Sequence, residues 1–397
     1  DDLKLRVSAG QTGGQGVSAY ATRSRFVVSN YGMGGSLQSG MAESRWGGPA
    51  AALLKWETTN QFDIGLDIAF LNNRVNLTVD AYYKKTKDLL LDKLIPMSSG
   101  FSRIQANYGN VTNKGLEISG HFIPVKARNF LWSIDANISF NRNKVGGLDA
   151  DQYSDVAWGI ENMFLVRNGE PIGTLYGYVE DGFYDNEAEV RADPLYRNET
   201  DSKVKSMVGE VKYKNLDDDP VIDNRDRQII GNTNPDYQYG ITNTLEWKNW
   251  TFSFFLQGTQ GNDVLNVNLK KFDMASVDNM PYFIYNNRWT AENRANAKWP
   301  RANRTSTRSM RASDRYIEDG SYLRCKNVSL SYRFRHPMKF VESINLVASV
   351  SNLFTISGYS WMDPDVNSFG SDPKRRGVDM ASYPSARTFN FGVQIGF

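Results

Sequence analysis

One cysteine, Cys325, and two histidines are all the thiol and imidazole chemistry in 397 residues. A single thiol closes no intramolecular disulfide and builds no Cys-based zinc cage. His121 and His336 stand too far apart in the chain to define a histidine site, and both are expected to be structural. No uncharged apolar run reaches the ~18 residues of a membrane helix, and mean hydropathy is −0.50; a helical membrane protein is excluded. An excess of one charge is missing too. The 46 Lys+Arg against 44 Asp+Glu leave a formal net charge of +2, which gives no bulk electrostatic reason to bind nucleic acid. No secretory signal stands at Asp1, so the sequence reads as mature, internal or cytosolic. No Ser/His/Asp or Cys/His constellation can be assembled, so no enzyme chemistry is expected.

What the chain does have is aromatic residues, 21 Phe, 20 Tyr and 9 Trp, and a period of two. Leu54, Trp56, Thr58, Phe62, Ile64, Leu66, Ile68 and Phe70 fall on one face of an extended segment. Lys55, Glu57, Thr59, Gln61, Asp63, Gly65, Asp67 and Ala69 fall on the other. Successive strand side chains point to opposite faces, so such a segment has one greasy and one wet side. The pattern repeats in Val75–Tyr83, Leu116–Phe122, Trp132–Phe140, Tyr237–Trp247, Trp250–Leu256, Ile344–Val350 and Phe389–Phe397, with Phe255 and Val347 as exceptions on the polar face. Near Asn327 the register slips: Leu323 and Cys325 are odd-numbered, while Val328, Leu330, Tyr332 and Phe334 are even. A β-bulge there is expected.

Ten strands follow, at about 2–10, 53–71, 74–95, 109–125, 130–145, 234–247, 249–268, 315–335, 342–356 and 385–397. Short links (Asn72-Asn73, Lys126–Asn129, Lys248-Asn249, His336–Ser343) alternate with long ones (about 11–52, 96–108, 146–233, 269–314 and 357–384). An up-and-down meander with short turns at one end and long loops at the other is the pattern of a transmembrane antiparallel β-barrel, whose long loops are extracellular. A soluble β-sandwich also alternates. Its strands, however, run about 5–6 residues, and its wet face carries Lys and Glu where this one is mostly Ser, Thr, Asn, Asp, Gln and Gly. Aromatics at strand ends (Trp56, Tyr82, Tyr83, Trp132, Tyr237, Trp247, Trp250, Phe397) read as interfacial girdles. An open sheet edge in lipid is costly, so the first strand needs a neighbour, either the last strand of this chain or strands outside it.

The motifs then become specific. Leu3–Ser8 with Gly10-Gln11-Thr12-Gly13, Lys55-Trp56-Glu57-Thr58-Thr59, and Tyr82–Leu90 resemble the SusC/RagA family of TonB-dependent outer-membrane transporters. So do Asn113-Lys114-Gly115-Leu116-Glu117, Asp226–Gly231 with Asn234-Pro235-Asp236, and Phe255–Gly258 with Gly261-Asn262-Asp263. Ile317–Arg324 with Lys326-Asn327-Val328, then Ser351–Thr355, Asp363-Pro364-Asp365, Tyr383-Pro384 and Arg387-Thr388-Phe389 complete the match, in order along the whole chain. The resemblance implies an all-β fold: the C-terminal part, about ten strands, of a barrel of about 22 strands that holds an N-terminal plug. Plug, TonB-contacting segment and roughly a dozen strands would lie outside this sequence, which reads as part of a longer protein. It further implies bacterial outer-membrane localisation, a SusD-like surface lipoprotein as a lid over the loops, and import of oligosaccharides or peptides powered by the TonB complex. A surface-binding or adhesion barrel without transport is the alternative.

Candidate sites are few. Asn215, Asp217, Asp219, Asp223 and Asp226 place oxygen donors at the ligand positions of an EF-hand-like loop, with the Val221 carbonyl between them. That donor set suits Ca²⁺, although Pro220 occupies the turn position that wants Gly, and Asp226 is shorter than the usual Glu. Otherwise the segment is an acidic loop with Asx turns, and no cofactor is required. The loop aromatics Tyr282, Phe283, Tyr285, Trp289, Trp299, Tyr359 and Trp361 are candidates for stacking on sugar rings or anchoring a protein partner. Lys270-Lys271 and Lys374-Arg375-Arg376 are candidates for contact with lipopolysaccharide phosphates or the lid, against solvated loop charge. Lys55, Glu57, Asp63, Asp67, Asp80 and Glu117 on the wet face are candidates to touch plug or cargo.

Overall fold

The computed structural model describes residues 2–14, 16, 22–23, 26–43, 49, 51, 53–101, 103–156, 160–217, 219–271, 279–303, 311–338 and 340–397. Ten long strands form one antiparallel sheet in chain order. They are β1 (Asp2–Gly14), β2 (Glu57–Phe70), β3 (Val75–Lys87), β4 (Asn110–Ala127), β5 (Phe130–Gly146), β6 (Tyr237–Trp247), β7 (Trp250–Gln260), β8 (Tyr322–Met338), β9 (Val341–Ser357) and β10 (Thr388–Gly396). Strands β4, β5, β8 and β9 run 17 or 18 residues, beyond the ~9–11 residues that cross a bilayer. Strands of that length would project beyond a bilayer they crossed.

Local chemistry explains the turns. Asn72 and Asn73 adopt φ of 54° and 61° between Phe70 and Val75, a conformation their short amide side chains tolerate. Leu71 joins them at φ 57°, so the link spans Leu71–Arg74 rather than the two asparagines alone. Lys248 at φ 54° reverses the chain between Trp247 and Trp250. The turn after β8 is shorter than expected, because pairing continues to Met338↔Val341; His336 belongs to the strand.

Two strands stop early. Asp88 at φ 58° ends β3, and the following segment forms a separate hairpin, Leu90–Leu94 with Arg103–Asn107. Gly261 at φ 80° ends β7, and Asp263–Asn266 turns off to pair with Ile317–Asp319 and Val378–Asp379. The expected bulge is present: Phe255 pairs with Asn327 and Leu256 with Cys325, leaving Lys326 unpaired. That single extra residue returns Leu323 and Cys325 to the face of Val328 and Leu330.

The core is not in the sheet. Leu3, Leu5 and Val7 on β1, and Phe389, Phe391 and Val393 on β10, are exposed, as are Ile64, Leu116, Phe252, Leu330 and Leu346 between them. A sandwich would bury these rows against a second sheet. The largest buried apolar cluster is built instead by the long loops, with Phe164, Leu175, Leu265, Ile284, Trp299, Tyr316 and Val378 among its members. Loop 147–236 carries a four-stranded sheet (Gln152–Val156, Ile160–Val166, Thr174–Gly177, Gln228–Asn232) and two short helices. The loops are thus a folded cap on one end of the wall. Among the described residues β1 pairs only with β2 and β10 only with β9, so the ten strands form an open arc.

Candidate functional site

The wet face of the wall is built from ion pairs, amides and hydroxyls. Arg6 on β1 donates to both oxygens of Asp67 at 2.8 and 3.1 Å and to Asp80 at 2.8 Å, bridging three strands. Thr78 donates to Asp67 at 3.0 Å. Gly65 lies beneath this triad: a Cβ there would overlap the Asp80 carboxylate and stand 2.7 Å from the Arg6 guanidinium carbon. Two of the six wet-face candidates, Asp67 and Asp80, are therefore engaged within the wall. His121 faces Asp135 at 2.7 Å on the same side, and the Tyr82 hydroxyl donates to Asn141 at 3.1 Å.

Where the wall meets the cap, two small polar cavities share a rim. One, of about 90 Å³, is lined by Ser139, Asn141, Asn234, Gln238 and Arg376. The other, of about 190 Å³, is lined by Asn113, Asn141, Asn143, Asn234 and Arg376. Amides both donate and accept, so this rim matches hydroxyl-rich or peptide-like solutes, and the guanidinium adds one anion-seeking group. Asn141 and Asn143 alternate on β5, whereas Asn234 and Arg376 come from distant loops. The sequence showed the first two as ordinary polar-face residues and gave no signal that the others would join them.

The cap is held by buried polar contacts. Arg324 on β8 donates to Asp363 and, at 3.0 and 3.2 Å, to Thr355 and Ser385. Arg315 donates to Glu180 at 2.7 Å; burial pushes the Glu180 carboxyl up against the pull of that guanidinium. The Tyr359 hydroxyl donates to Asp379 at 2.7 Å.

The seven candidate aromatics divide. Tyr282, Phe283 and Tyr285 are exposed on the short helix Tyr282–Asn287, and the Arg288 guanidinium lies 3.9 Å from the Tyr285 ring centre. Trp361 is half-buried. Trp289, Trp299 and Tyr359 correct the expectation of open stacking surfaces, because all three are buried in the cap. Trp289 donates to Asp185 at 3.2 Å, and Arg315 lies over Trp299. Their size made them stand out in the sequence, but size serves a core as well as a ligand.

The acidic loop also differs from its expected form. Arg225 reaches into it, bonding Asp217 and Asp223 at 3.2 Å each and Asp219 by a closer contact. Both Asp226 oxygens accept backbone N–H groups, from Leu216 and Asp223 at 2.8 Å. Asp219 accepts from the Val221 N–H at 2.8 Å, and Asn215 donates to the Asp219 carbonyl. Asp218 lies outside the described residues. The Arg225 guanidinium stands among three of the carboxylates a calcium ion would need, and each Asp226 oxygen already accepts one backbone N–H. These residues, as arranged, do not fit a Ca²⁺ cage. Among the described residues no group of three or more His, Cys, Asp and Glu could hold a metal.

The two basic stretches do not form an outward patch. Lys270 is buried, Arg375 pairs with Asp372 at 2.8 Å, and Arg376 lines the rim cavities.

A family model described as "TonB dependent receptor-like, beta-barrel" matches residues 1–353. The chain belongs to this family. As a part of such an outer-membrane β-barrel it is similar over its whole length to TonB-dependent receptor P26 of Formosa agariphila, at 34% identity and covering 40% of that protein. It is likewise similar to TonB-dependent receptor SusC of Bacteroides thetaiotaomicron, at 29% identity over 100% of the chain and 38% of SusC. Among solved structures, the RagAB peptide importer in its open-open state superposes on the whole chain with a TM-score of 0.76 at 21% identity, over 40% of that chain. The chain thus spans about 40% of the length of the curated relatives it matches.

Proposed function

We propose that this chain is wall and cap of a SusC-type importer, which brings oligosaccharides through the outer membrane under energy supplied by the TonB complex. The carrying observation is the division of the wall: exposed apolar rows on one face, and on β1–β5 Arg6, Asp67, Asp80, His121, Asp135 and Asn141 on the other. Lipid selects the first face and a hydrated pore the second. The open edges of β1 and β10 require partners in lipid, which further strands of a larger barrel would supply. The amide rim and the exposed Tyr282, Phe283 and Tyr285 favour neutral sugars, since aromatic faces stack on pyranose rings and amides pair with hydroxyls. Peptide is the competing cargo, because amides also pair with peptide groups. A SusD-like lipoprotein would close over the cap, with the Tyr282–Tyr285 helix as one contact.

Deletion of the gene for the whole protein, followed by growth on single oligosaccharides and peptides, tests this reading. Loss of growth on one oligosaccharide class, restored by the intact gene, is the expected outcome. Loss confined to peptides would reassign the cargo, and undiminished growth on every polymer would leave adhesion as the better account.

A further inference from the structure

The apolar ladder of the wall ends abruptly in positive charge on three neighbouring strands. On β3 the outward row Val75, Leu77, Val79, Ala81, Tyr83 continues as Lys85 and Lys87. On β5 the row Trp132–Phe140 continues as Arg142 and Lys144, and on β4 Leu116 is followed, toward the same end, by Lys114. Register brings these together: Lys114 pairs with Tyr83 on one side and Arg142 on the other, and Thr112 pairs with Lys85 and Lys144. The five cations therefore form one patch, since adjacent strands lie about 4.8 Å apart.

Three observations set this patch apart from scattered surface charge. First, the four lysines form no ion pair among the described residues, and only Arg142 has an acid, Asp236 at 2.6 Å. The Lys114 ammonium lies 5.7 Å from the Tyr83 ring centre. Second, a groove of about 490 Å³ opens between them, lined by Tyr83, Thr112, Lys114, Arg142 and Lys144. Third, at the register of Lys85 the two strands on the β2 side are neutral: Asn60 on β2 pairs with Lys85, and Gln11 on β1 bonds Asn60 at 2.9 Å.

Height fixes the kind of ligand. Val75–Tyr83 and Trp132–Phe140 are each about nine residues, one crossing of the hydrocarbon layer. Tyr83, Phe140 and Tyr237 cap these rows as an aromatic ring, with Phe140 and Tyr237 centres 5.8 Å apart. The first cations stand two residues further, about 7 Å along the strand, at headgroup depth. This is the long-loop end, the outer side of an outer-membrane barrel. We propose that Lys85, Lys87, Lys114, Arg142 and Lys144 hold the phosphates of a lipopolysaccharide's lipid A anchor, whose acyl chains lie along the apolar rows below. The patch is thus a lipid-docking surface on the outside of the wall, independent of any cargo inside it.

The test uses the full-length protein in detergent, with native mass spectrometry of bound lipid. The wild-type protein is expected to retain phosphorylated lipid A, and Lys85→Gln/Lys114→Gln/Lys144→Gln to retain about tenfold less or lower still, since each cation near an anionic lipid surface contributes measurably. The charge-keeping set Lys85→Arg/Lys114→Arg/Lys144→Arg is expected to bind as the wild type does. Heat-modifiable gel migration verifies that each variant is folded, and the single variant Lys114→Gln serves if the triple does not assemble. Equal retention by a folded charge-removed variant would overturn the proposal. So would equal retention of dephosphorylated lipid A, or displacement by millimolar inorganic phosphate, which would mark a small-anion site.

Discussion

Arg324, buried to 1% exposure on β8, donates through its guanidinium to the carboxylate of Asp363 in the loop after β9. The pair joins wall to cap where water is excluded. Removing one partner strands the other charge, a loss of about 3–5 kcal/mol for a buried pair. Arg324→Ala is therefore expected to lower the thermal midpoint of the full-length protein and to open the 357–384 loop to protease. Replacing both, Arg324→Met with Asp363→Leu, is expected to recover part of that loss, because the buried charge pair is gone and Asp365, the other acid near Arg324 at 3.5 Å, is half exposed and stays solvated. A single variant that melts and digests like the parent would show that the contact contributes nothing.

The same loop should respond to acid in one direction only. Burial pushes the Asp363 carboxyl up, but N–H groups of Ser385 and Asp365 and the Arg324 guanidinium together hold it below the usual range. Asp372 is likewise held down by Arg375 and the Lys374 N–H against burial. A carboxyl depressed in the folded state stabilises above its unfolded pKa, about 3.9, and that stabilisation is lost as pH falls through the lower folded value. Protease sensitivity of the loop is expected to stay flat from pH 7 to about 5 and to rise only below about 4. A rise centred near pH 6 would contradict this assignment.

Much of this wall could be read from alternation alone, because a strand with lipid on one side and water on the other has to write both environments into its sequence. The bulge was legible for the same reason: Lys326 shifts a row that Leu323, Cys325, Val328 and Leu330 otherwise keep. The cap was not legible. Trp289, Trp299 and Tyr359 lie in loops without period, and only the fold shows that they close a core rather than face a ligand. Asn234 and Arg376 meet Asn141 through connections that no local pattern records. Strand ends were misplaced where a single residue turned the chain, as at Asp88 and Gly261.

Arg225 supplies a third prediction. Its guanidinium stands among Asp217, Asp219 and Asp223 and holds the Asp223 carboxyl below the usual range. Calcium would have to displace it. Addition of millimolar calcium or of a chelator is expected to leave the melting profile of the wild-type protein unchanged. Arg225→Ala frees three carboxylates, so calcium-dependent stabilisation is expected to appear in that variant alone. Calcium dependence already present in the wild type would mean that the arginine yields its place.

Gly65 offers the sharpest test of the wall's polar interior. There the Arg6 guanidinium and the Asp80 carboxylate close over the β2 backbone, and a Cβ would stand 2.7 Å from the Arg6 guanidinium carbon. Gly65→Ala is expected to destabilise the folded barrel by about 1–3 kcal/mol through overpacking, seen as a lower unfolding midpoint in heat-modifiable gel migration. If the cause is the clash, trimming the side chain above it should help: Asp80→Ala is expected to cost less in the Gly65→Ala protein than in the wild type, while Arg6 keeps its two bonds to Asp67. Strict additivity of the two substitutions would show that the glycine is needed for some reason other than room for the triad.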